Sequence, residues 1–213
     1  ALLTGKSPNP FAAFYRLNDK FCLCASPERF LQKSGSKIIS QPIKGTSKRD
    51  YASPLADEER RNYLRQSQKE KSENVMVVDL VRNDLSRFCL EGSVKVSELF
   101  GIYSFPQVHQ MISTIEGTVG EDVHWTAIVE HCFPMGSMTG APKVKVMELI
   151  EKYEVYPRGL FSGTIGYITP DFDFDFNVVI RSLFYNETKK LLSIKAGSGI
   201  TIYSDPEKEC EEC

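Results

Sequence analysis

The chain has 213 residues, enough for one domain with a sizeable core or at most two small ones. Its 26 Lys and Arg residues are offset by 28 Asp and Glu residues, so no strongly basic field is present to bind nucleic acid. No apolar run approaches the roughly 20 residues that cross a bilayer, and six cysteines are sparse for a disulfide-stapled secreted domain. We therefore expect a cytoplasmic protein with reduced thiols and with neither nucleic acid nor membrane as partner.

The predicted elements alternate between runs of strands and runs of helices along the chain. Strands are expected, in order, at 11–15, 20–25, 36–40, 92–98, 106–116, 160–168, 174–184 and 190–196. Apolar residues three and four apart predict a helix over 55–88 with a break near Ser72, and further helices are expected at 123–132, at 140–154 and from Pro206. This order favours an α+β layered domain with antiparallel sheets over a doubly wound parallel one.

A single lysine stands between a proline and a glycine in QPIKGTSKR, residues 41–49. The flanking residues predict a turn, on which Lys44 is either a solvated charge or a group aimed at a substrate. A lysine that is desolvated in a pocket loses its proton more easily and becomes nucleophilic. Glu28, in SPERF, can exchange a proton with a leaving hydroxyl. The local pattern leaves open whether Lys44 and Glu28 meet.

Two pairs of glutamates have the spacing that places both members on one face of a helix. Glu70 and Glu73 form the first pair, and Glu209 and Glu212 form the second. If the two helices face each other, the pairs create an oxygen-rich site that suits Mg²⁺, which prefers hard oxygen ligands. The alternative is that both pairs are ordinary solvated surface.

Three further segments are candidates for binding an anion. In KAGSGIT, residues 195–201, Gly197 and Gly199 allow close backbone approach to an anion, although a tight turn explains them equally well. In PMGSMTGAPK, residues 134–143, Ser137 precedes a helix and helps to bind an anion, or else Ser137 or Thr139 simply caps the helix. Arg181 ends the apolar run FNVVIR, where it either grips a carboxylate or reaches solvent.

Taken together, these segments resemble the chorismate-utilising enzymes. The segments occur in that family's order and cover nearly the whole chain: SPERF, PIKGT, ENVMVVDLVRNDLSRFC, STIEG, GSMTGAPKVKVMELI, GLFSGTIGY, VVIRS, AGSGI and SDPEKECEE. The resemblance implies a layered α/β/α sandwich around large antiparallel sheets, with the site between them. It also implies that residues 1–213 are the chorismate-binding catalytic domain, with its N-terminal part and its C-terminal end lying outside the sequence.

Lys44 distinguishes between branches of this family. The loop typically reads PIKGT in aminodeoxychorismate synthases, whereas anthranilate synthases usually have Ala at the lysine position. The resemblance thus implies amination of chorismate at C4 to 4-amino-4-deoxychorismate, the precursor of 4-aminobenzoate and folate. In that mechanism the Lys44 amine attacks C2, the C4 hydroxyl leaves with the help of Glu28, and ammonia then displaces the lysine.

The same resemblance implies roles for the remaining candidates. Arg181 matches the arginine that binds the enolpyruvyl carboxylate, and the cofactor is Mg²⁺, held directly or through water by the four glutamates. Substrate-contacting positions are matched by Gly45, Thr46, Ser137, Gly197 and Gly199. Ammonia is expected from a glutamine amidotransferase subunit or domain, because the chain contains no amidotransferase triad of its own.

Several positions depart from the family pattern. The histidine that acts on the ring in anthranilate synthase is Gln110 here, and His109 is expected on the opposite face of the strand. The family's tyrosine twenty residues before the arginine is Phe161, and the sequence ends before the lysine expected four residues after Glu212. Two alternatives stay open: anthranilate synthase component I, which Lys44 and Gln110 disfavour, and an inactive chorismate-binding module.

Overall fold

Two antiparallel sheets and a group of helices make up the computed structural model. It describes Gly5, residues 8–202 and residues 204–212, without the side chains of Lys208 and Glu212. The strands are β1 (Phe11–Leu17), β2 (Lys20–Ser26), β3 (Arg29–Ser34), β4 (Lys37–Gln41), β5 (Ile43–Lys48), β6 (Lys95–Ser104), β7 (Val108–Thr118), β8 (Gly166–Ile168), β9 (Phe174–Asn177), β10 (Ser182–Asn186) and β11 (Leu191–Ile194). The helices are α1 (Pro54–Gln66), α2 (Gln68–Ser86), α3 (Trp125–Cys132), α4 (Gly136–Thr139), α5 (Lys143–Tyr153) and α6 (Pro206–Glu212).

The smaller sheet has the strand order β1-β2-β10-β11. The larger sheet has seven strands in the order β5-β7-β4-β3-β9-β8, with β6 also paired to β7. Strand β7 lies between β6 on one side and β4 and β5 on the other, because Gln110 pairs with both Thr46 and Tyr103. All of these pairings are antiparallel, which confirms the α+β class with large antiparallel sheets.

Helix α2 covers one face of the larger sheet. Its buried apolar residues, Val77, Val78, Val81 and Leu85, return at the three- and four-residue steps of one helical face. They pack in a single cluster with residues of the sheet that include Ile38 and Ile115, and with Ile128 of α3. Each such side chain contributes roughly 1.5–3 kcal/mol on full burial, so this contact fixes the helix firmly above the sheet.

The chain passes twice between the two sheets, and the two passages lie side by side. The first joins β2 to β3 through Glu28, and the second joins β9 to β10 through Val178–Arg181. The Ala25 amide donates to the Arg181 carbonyl at 3.2 Å, and the Val178 amide donates to the Glu28 carbonyl at 3.1 Å. These paired passages, the sheet crossing, bring Glu28 and Arg181 to the junction of the sheets.

The predicted long helix over 55–88 is two helices, and its break lies at Ser67 rather than near Ser72. Ser67 leaves the helical conformation (φ −60°, ψ 113°), and its hydroxyl accepts from the amide of Glu70 at 3.4 Å, so it caps the start of α2. The Ser72 hydroxyl instead donates to the carbonyl of Gln68 within the helix. Residues 140–154 likewise begin their helix only at Lys143.

The strand assignment from the sequence was wrong in four places. Strand β3 was not predicted, and the 41–49 segment is mostly strand β5 rather than a turn. The segment 174–184 is not one strand, because it crosses between the sheets at 178–181. Only Gly166–Ile168 of the predicted strand 160–168 is extended in a sheet.

The described part of the chain bears on two compositional predictions. None of its helices combines the length and apolar character that crossing a membrane requires. Its five described cysteines are free thiols: Cys22, Cys24, Cys89, Cys132 and Cys210.

Candidate active site

Glu28 lies at the sheet crossing with only 6% of its surface exposed. Its carboxylate accepts hydrogen bonds from the Ser137 hydroxyl and from the backbone amide of Ile43, and the charges of Lys44 and Arg181 act on it. Burial outweighs these stabilising contacts and raises the pKa of Glu28 to about 7. A carboxyl group with such a pKa can both donate and accept a proton near neutral pH, as a general acid/base requires.

Lys44 is placed on β5 by an irregularity in the pairing with β7. Ile43 pairs with Ile112 and Thr46 pairs with Gln110, so two residues of β5, Lys44 and Gly45, stand opposite one residue of β7. This is the geometry of a β-bulge, which redirects a side chain locally. Lys44 is half-buried and near enough to Glu28 for its charge to lower the pKa of the carboxyl group.

Gly45 allows the bulge to approach the two helices. Its φ is +92°, in the left-handed region that favours glycine. A Cβ at this position would lie 2.9 Å from Leu64 Cδ1 and 3.0 Å from Glu70 Oε2. Only a glycine fits here without displacing its neighbours, while its substrate-contacting role stays a prediction.

Gly199 lies close to both Lys44 and Glu73 of α2. A Cβ on Gly199 would lie 3.6 Å from Lys44 Nζ and 3.7 Å from Glu73 Oε2. The ammonium and the carboxylate thus border the same space, which the absence of a side chain on Gly199 leaves open. A Cβ on Gly197 would meet no atom within 4 Å, so this glycine lies in open space.

The predicted glutamates converge from α2 and α6. Lys69 Nζ and Glu209 Oε1 form an ion pair of 3.5 Å, which shows that these helices face each other. Burial alone would lower the pKa of Lys69, but the charges of Glu209, Glu73 and Glu70 outweigh burial and raise it. One cation is therefore paired with Glu209 and influenced by Glu70 and Glu73, while the side chain of the predicted ligand Glu212 lies outside the described residues.

This acidic group has the chemistry of a magnesium site. Its donors are carboxylate oxygens, and Glu73 Oε1 is buried without a hydrogen-bond partner among the described residues. In the conformation described, no three described His, Cys, Asp or Glu side chains already form a metal-binding group. The donors present are of the chemical type that Mg²⁺ prefers.

The GSMTG segment holds Ser137 against Glu28 instead of capping a helix. Helix α5 begins after Pro142 with no side-chain cap, so the capping alternative for Ser137 was wrong. The segment is fixed from both sides, since Arg158 donates to the Met138 carbonyl at 2.8 Å and Lys143 Nζ contacts Asp84 Oδ2 at 2.6 Å. These anchors position the Ser137 hydroxyl for its hydrogen bond to Glu28.

His109 is excluded from the site by its own partners. Its Nε2 lies 3.1 Å from Asp57 Oδ1 on α1, and its Nδ1 lies 2.8 Å from Ser104 Oγ. Gln110 stands beside Thr46, which is exposed, in the strand pairing. The two neighbours therefore point to opposite faces of β7, as the strand period predicts.

Three features of the candidate site and its surroundings were not predicted from the sequence. Lys69 and the Asp84–Lys143 pair were not singled out, although Lys69 directly precedes a predicted ligand. Arg181 was singled out, but its position at the sheet crossing was not expected. Its φ of +51° is a strained conformation for a residue other than glycine, and such strain often occurs at functional sites.

Comparisons with known proteins identify similar sequences and a similar fold. Two curated relatives are the probable aminodeoxychorismate synthase, chloroplastic, of Oryza sativa subsp. japonica (42% identical over 99% of this chain and 24% of that protein) and aminodeoxychorismate synthase component 1 of Salmonella typhimurium (42% identical over 95% of this chain and 44% of that protein). The crystal structure of anthranilate synthase component I from Streptococcus pneumoniae matches with a TM-score of 0.88 and 27% identity, over 99% of this chain and 46% of that one.

The chain therefore spans less than half the length of these proteins. The sequence profile described as chorismate binding enzyme matches residues 1–213, which is the whole sequence. The chain thus belongs to the family of chorismate binding enzymes.

Proposed function

We propose that this chain carries the chorismate-aminating site of an aminodeoxychorismate synthase component I. The reaction is the Mg²⁺-dependent addition of ammonia at C4 of chorismate, giving 4-amino-4-deoxychorismate for 4-aminobenzoate and folate synthesis. The observation that carries the proposal is the placement of Lys44 between the buried acid Glu28 and the acidic helix face at Glu73. The names of the two curated relatives support the same activity.

In the proposed mechanism Lys44 supplies the nucleophile. Once it has lost its proton, its amine forms a bond to C2 of chorismate, both ring double bonds shift by one position toward C4, and the bond from C4 to its hydroxyl breaks. Glu28, whose pKa of about 7 keeps a large fraction protonated at neutral pH, gives its proton to the departing hydroxyl, which leaves as water. Ammonia then bonds to C4 as both double bonds shift back, and the C2–Nζ bond breaks to free Lys44 as an amine.

The other residues bind and orient the substrate in this proposal. Arg181 pairs with the enolpyruvyl carboxylate, and Ser137, Thr46 and the backbone at Gly45, Gly197 and Gly199 surround the ring. Glu70, Glu73, Glu209 and Glu212 hold Mg²⁺, which when bound draws electron density from the ring carboxylate. Ammonia comes from a glutamine amidotransferase partner, as the words "component 1" in the Salmonella relative's name suggest. A cytoplasmic location stays a prediction, since the rice relative is named chloroplastic.

Product identification is the direct test of this function. The full-length protein is incubated with chorismate, Mg²⁺ and excess ammonium at mildly alkaline pH, and the products are separated with mass detection. A product that has gained the amine and kept the enolpyruvyl group supports the proposal. Anthranilate would show the alternative activity in its place, and chorismate binding without turnover would show an inactive module.

The role of Lys44 has its own test. Lys44→Ala is expected to lower amination at saturating ammonium by at least about a hundredfold, because the covalent route is lost. Lys48→Ala is the matched control, since it removes an exposed lysine from the same strand. Full activity of Lys44→Ala at matched ammonium would rule out the nucleophilic role.

A further inference from the structure

Lys69 occupies an unusual place for a cation. It is the second residue of α2, and a positive charge in the first turn of a helix is unfavourable because the helix dipole is positive there. Its ammonium lies instead among acids, in an ion pair of 3.5 Å with Glu209 and within the influence of Glu70 and Glu73. Nearly half of the Lys69 side chain is exposed, whereas that of Glu209 is 7% exposed.

Glu209 is held by more than the lysine. The hydroxyls of Ser198 and Ser204 also lie within reach of its carboxylate. The carboxylate is thus oriented by neutral groups as well as by the ion pair with Lys69. Among the partners of Glu209 in the described part of the chain, only Lys69 carries a charge and has a long flexible side chain that can move away into solvent.

We propose that Lys69 is the built-in counter-cation of the metal-free acidic site, and that it must release Glu209 when Mg²⁺ binds. This inference rests on the magnesium role assigned under the proposed function and deepens it. Lys69 offsets part of the negative charge of Glu70, Glu73 and Glu209 while the metal is absent, and it sets how tightly the metal binds when present. It acts on the affinity of the site and takes no part in the chemistry at the ring.

The physical basis is competition between two cations for the same oxygens. An ammonium and Mg²⁺ cannot both contact Glu209 at close range without strong mutual repulsion. The repulsion is relieved when the exposed Lys69 side chain turns outward, and the ion pair with Glu209 is then lost. The ion pair also ties α6 to α2 in the metal-free protein, so the lysine keeps the C-terminal helix docked until the metal replaces it.

The test compares Lys69→Met with a matched control in the full-length protein. Lys71→Met removes the same charge two residues later, from a side chain whose Nζ lies 5.8 Å from the centre of the Phe100 ring. Mg²⁺ affinity is measured by titration calorimetry without chorismate. Lys69→Met is expected to bind Mg²⁺ about tenfold more tightly, while Lys71→Met and Lys69→Arg stay within about twofold of the wild type.

A second measurement reads the docking of α6 without any reference to activity. Hydrogen exchange over residues 206–212 is expected to be faster in metal-free Lys69→Met than in the metal-free wild type, and saturating Mg²⁺ should remove the difference. Equal or weaker Mg²⁺ binding by Lys69→Met would overturn the inference, as would equal tightening by Lys71→Met.

The outcomes separate this inference from the proposed function. If the predicted order of Mg²⁺ affinities is found in a protein that does not aminate chorismate, the counter-cation role stands and the proposed function fails. If amination occurs but Lys69→Met leaves Mg²⁺ affinity unchanged, only the counter-cation role fails. If the wild type binds no Mg²⁺, the inference is overturned together with the metal dependence.

Discussion

Glu28→Gln should make the protein more stable above neutral pH while abolishing its proton transfer. The glutamine amide resembles the protonated acid in shape, and its oxygen can still accept from the Ser137 hydroxyl and the Ile43 amide that now serve Glu28. The substitution therefore removes a buried charge without removing its packing. An acid held for chemistry at the expense of stability is common at active sites.

The magnitude follows from the pKa of Glu28. The folded value of about 7 stands above the ordinary 4.5, so the folded protein binds more protons than the unfolded chain between these pH values. Stability therefore falls as the pH rises through this window, by up to about 3 kcal/mol at pH 8. Glu28→Gln escapes this loss, and its advantage over the wild type should be absent below about pH 4.5 and complete at pH 8.

Urea denaturation followed by circular dichroism measures this effect at pH 5 and pH 8. Glu148→Gln serves as the control, because its carboxylate is exposed in a surface pair with Lys145 and contributes at most about 1 kcal/mol. If the stability difference between Glu28→Gln and the wild type is the same at both pH values, Glu28 is not a buried acid with a raised pKa.

Three further substitutions test the scaffold around the site. Gly45→Ala should lower the free energy of unfolding by about 1–3 kcal/mol, because the new Cβ makes close contacts and the φ is strained. Gly35→Ala is the control, with φ +57° and no atom within 4 Å of its Cβ, and it should lose only the part of the free energy that comes from backbone strain. Lys143→Met should cost about 3–5 kcal/mol, since it leaves buried Asp84 without its partner. Ser137→Ala should raise the pKa of Glu28, because the Ser137 hydroxyl lowers that pKa in the wild type. The limb of the pH–rate profile that reports Glu28 should then move to higher pH.

Each of these results can contradict its premise. Equal losses in the two glycine variants would show that the helices do not crowd the bulge. Adding an Asp84→Asn change to Lys143→Met should restore part of the lost stability, and no recovery would mean that the lysine acts through packing alone. An unmoved pH–rate limb in Ser137→Ala would place the hydroxyl outside hydrogen-bond reach of the acid.

The sequence carried enough information for the elements that form locally. The β1–β2 hairpin was predicted because a short turn joins two alternating runs, and α2 because its apolar residues repeat at helical steps. Strand β3 was missed for a physical reason. Its pairing shifts register between Arg29 and Gln32, so Phe30 and Leu31 are both buried and the alternation that marks a strand is lost.

The candidate site was likewise predictable only in part. Ordered motifs identified Glu28, Lys44 and the glutamates one by one, but no local pattern placed them together. Lys44 is oriented by a bulge whose register depends on β7, more than sixty positions away, and the partners of Glu28 come from three separate segments. Lys69 was overlooked because a lysine among helical charges is ordinary in a sequence and becomes significant only when Glu209 is brought against it.

The sheet crossing has a consequence for the order in which the site is made. Cys24 and Ile180, which contact each other there, are separated by 156 positions in the chain. Contacts of such long range form late, because the intervening loop must close first. The helices that carry Glu70 and Glu73 can form while the polypeptide is still being synthesised, but Glu28 reaches its place only after β10 has emerged from the ribosome. During translation, the helix that carries Glu70 and Glu73 can therefore form before Glu28 is positioned, and Glu209 on α6 follows only after that.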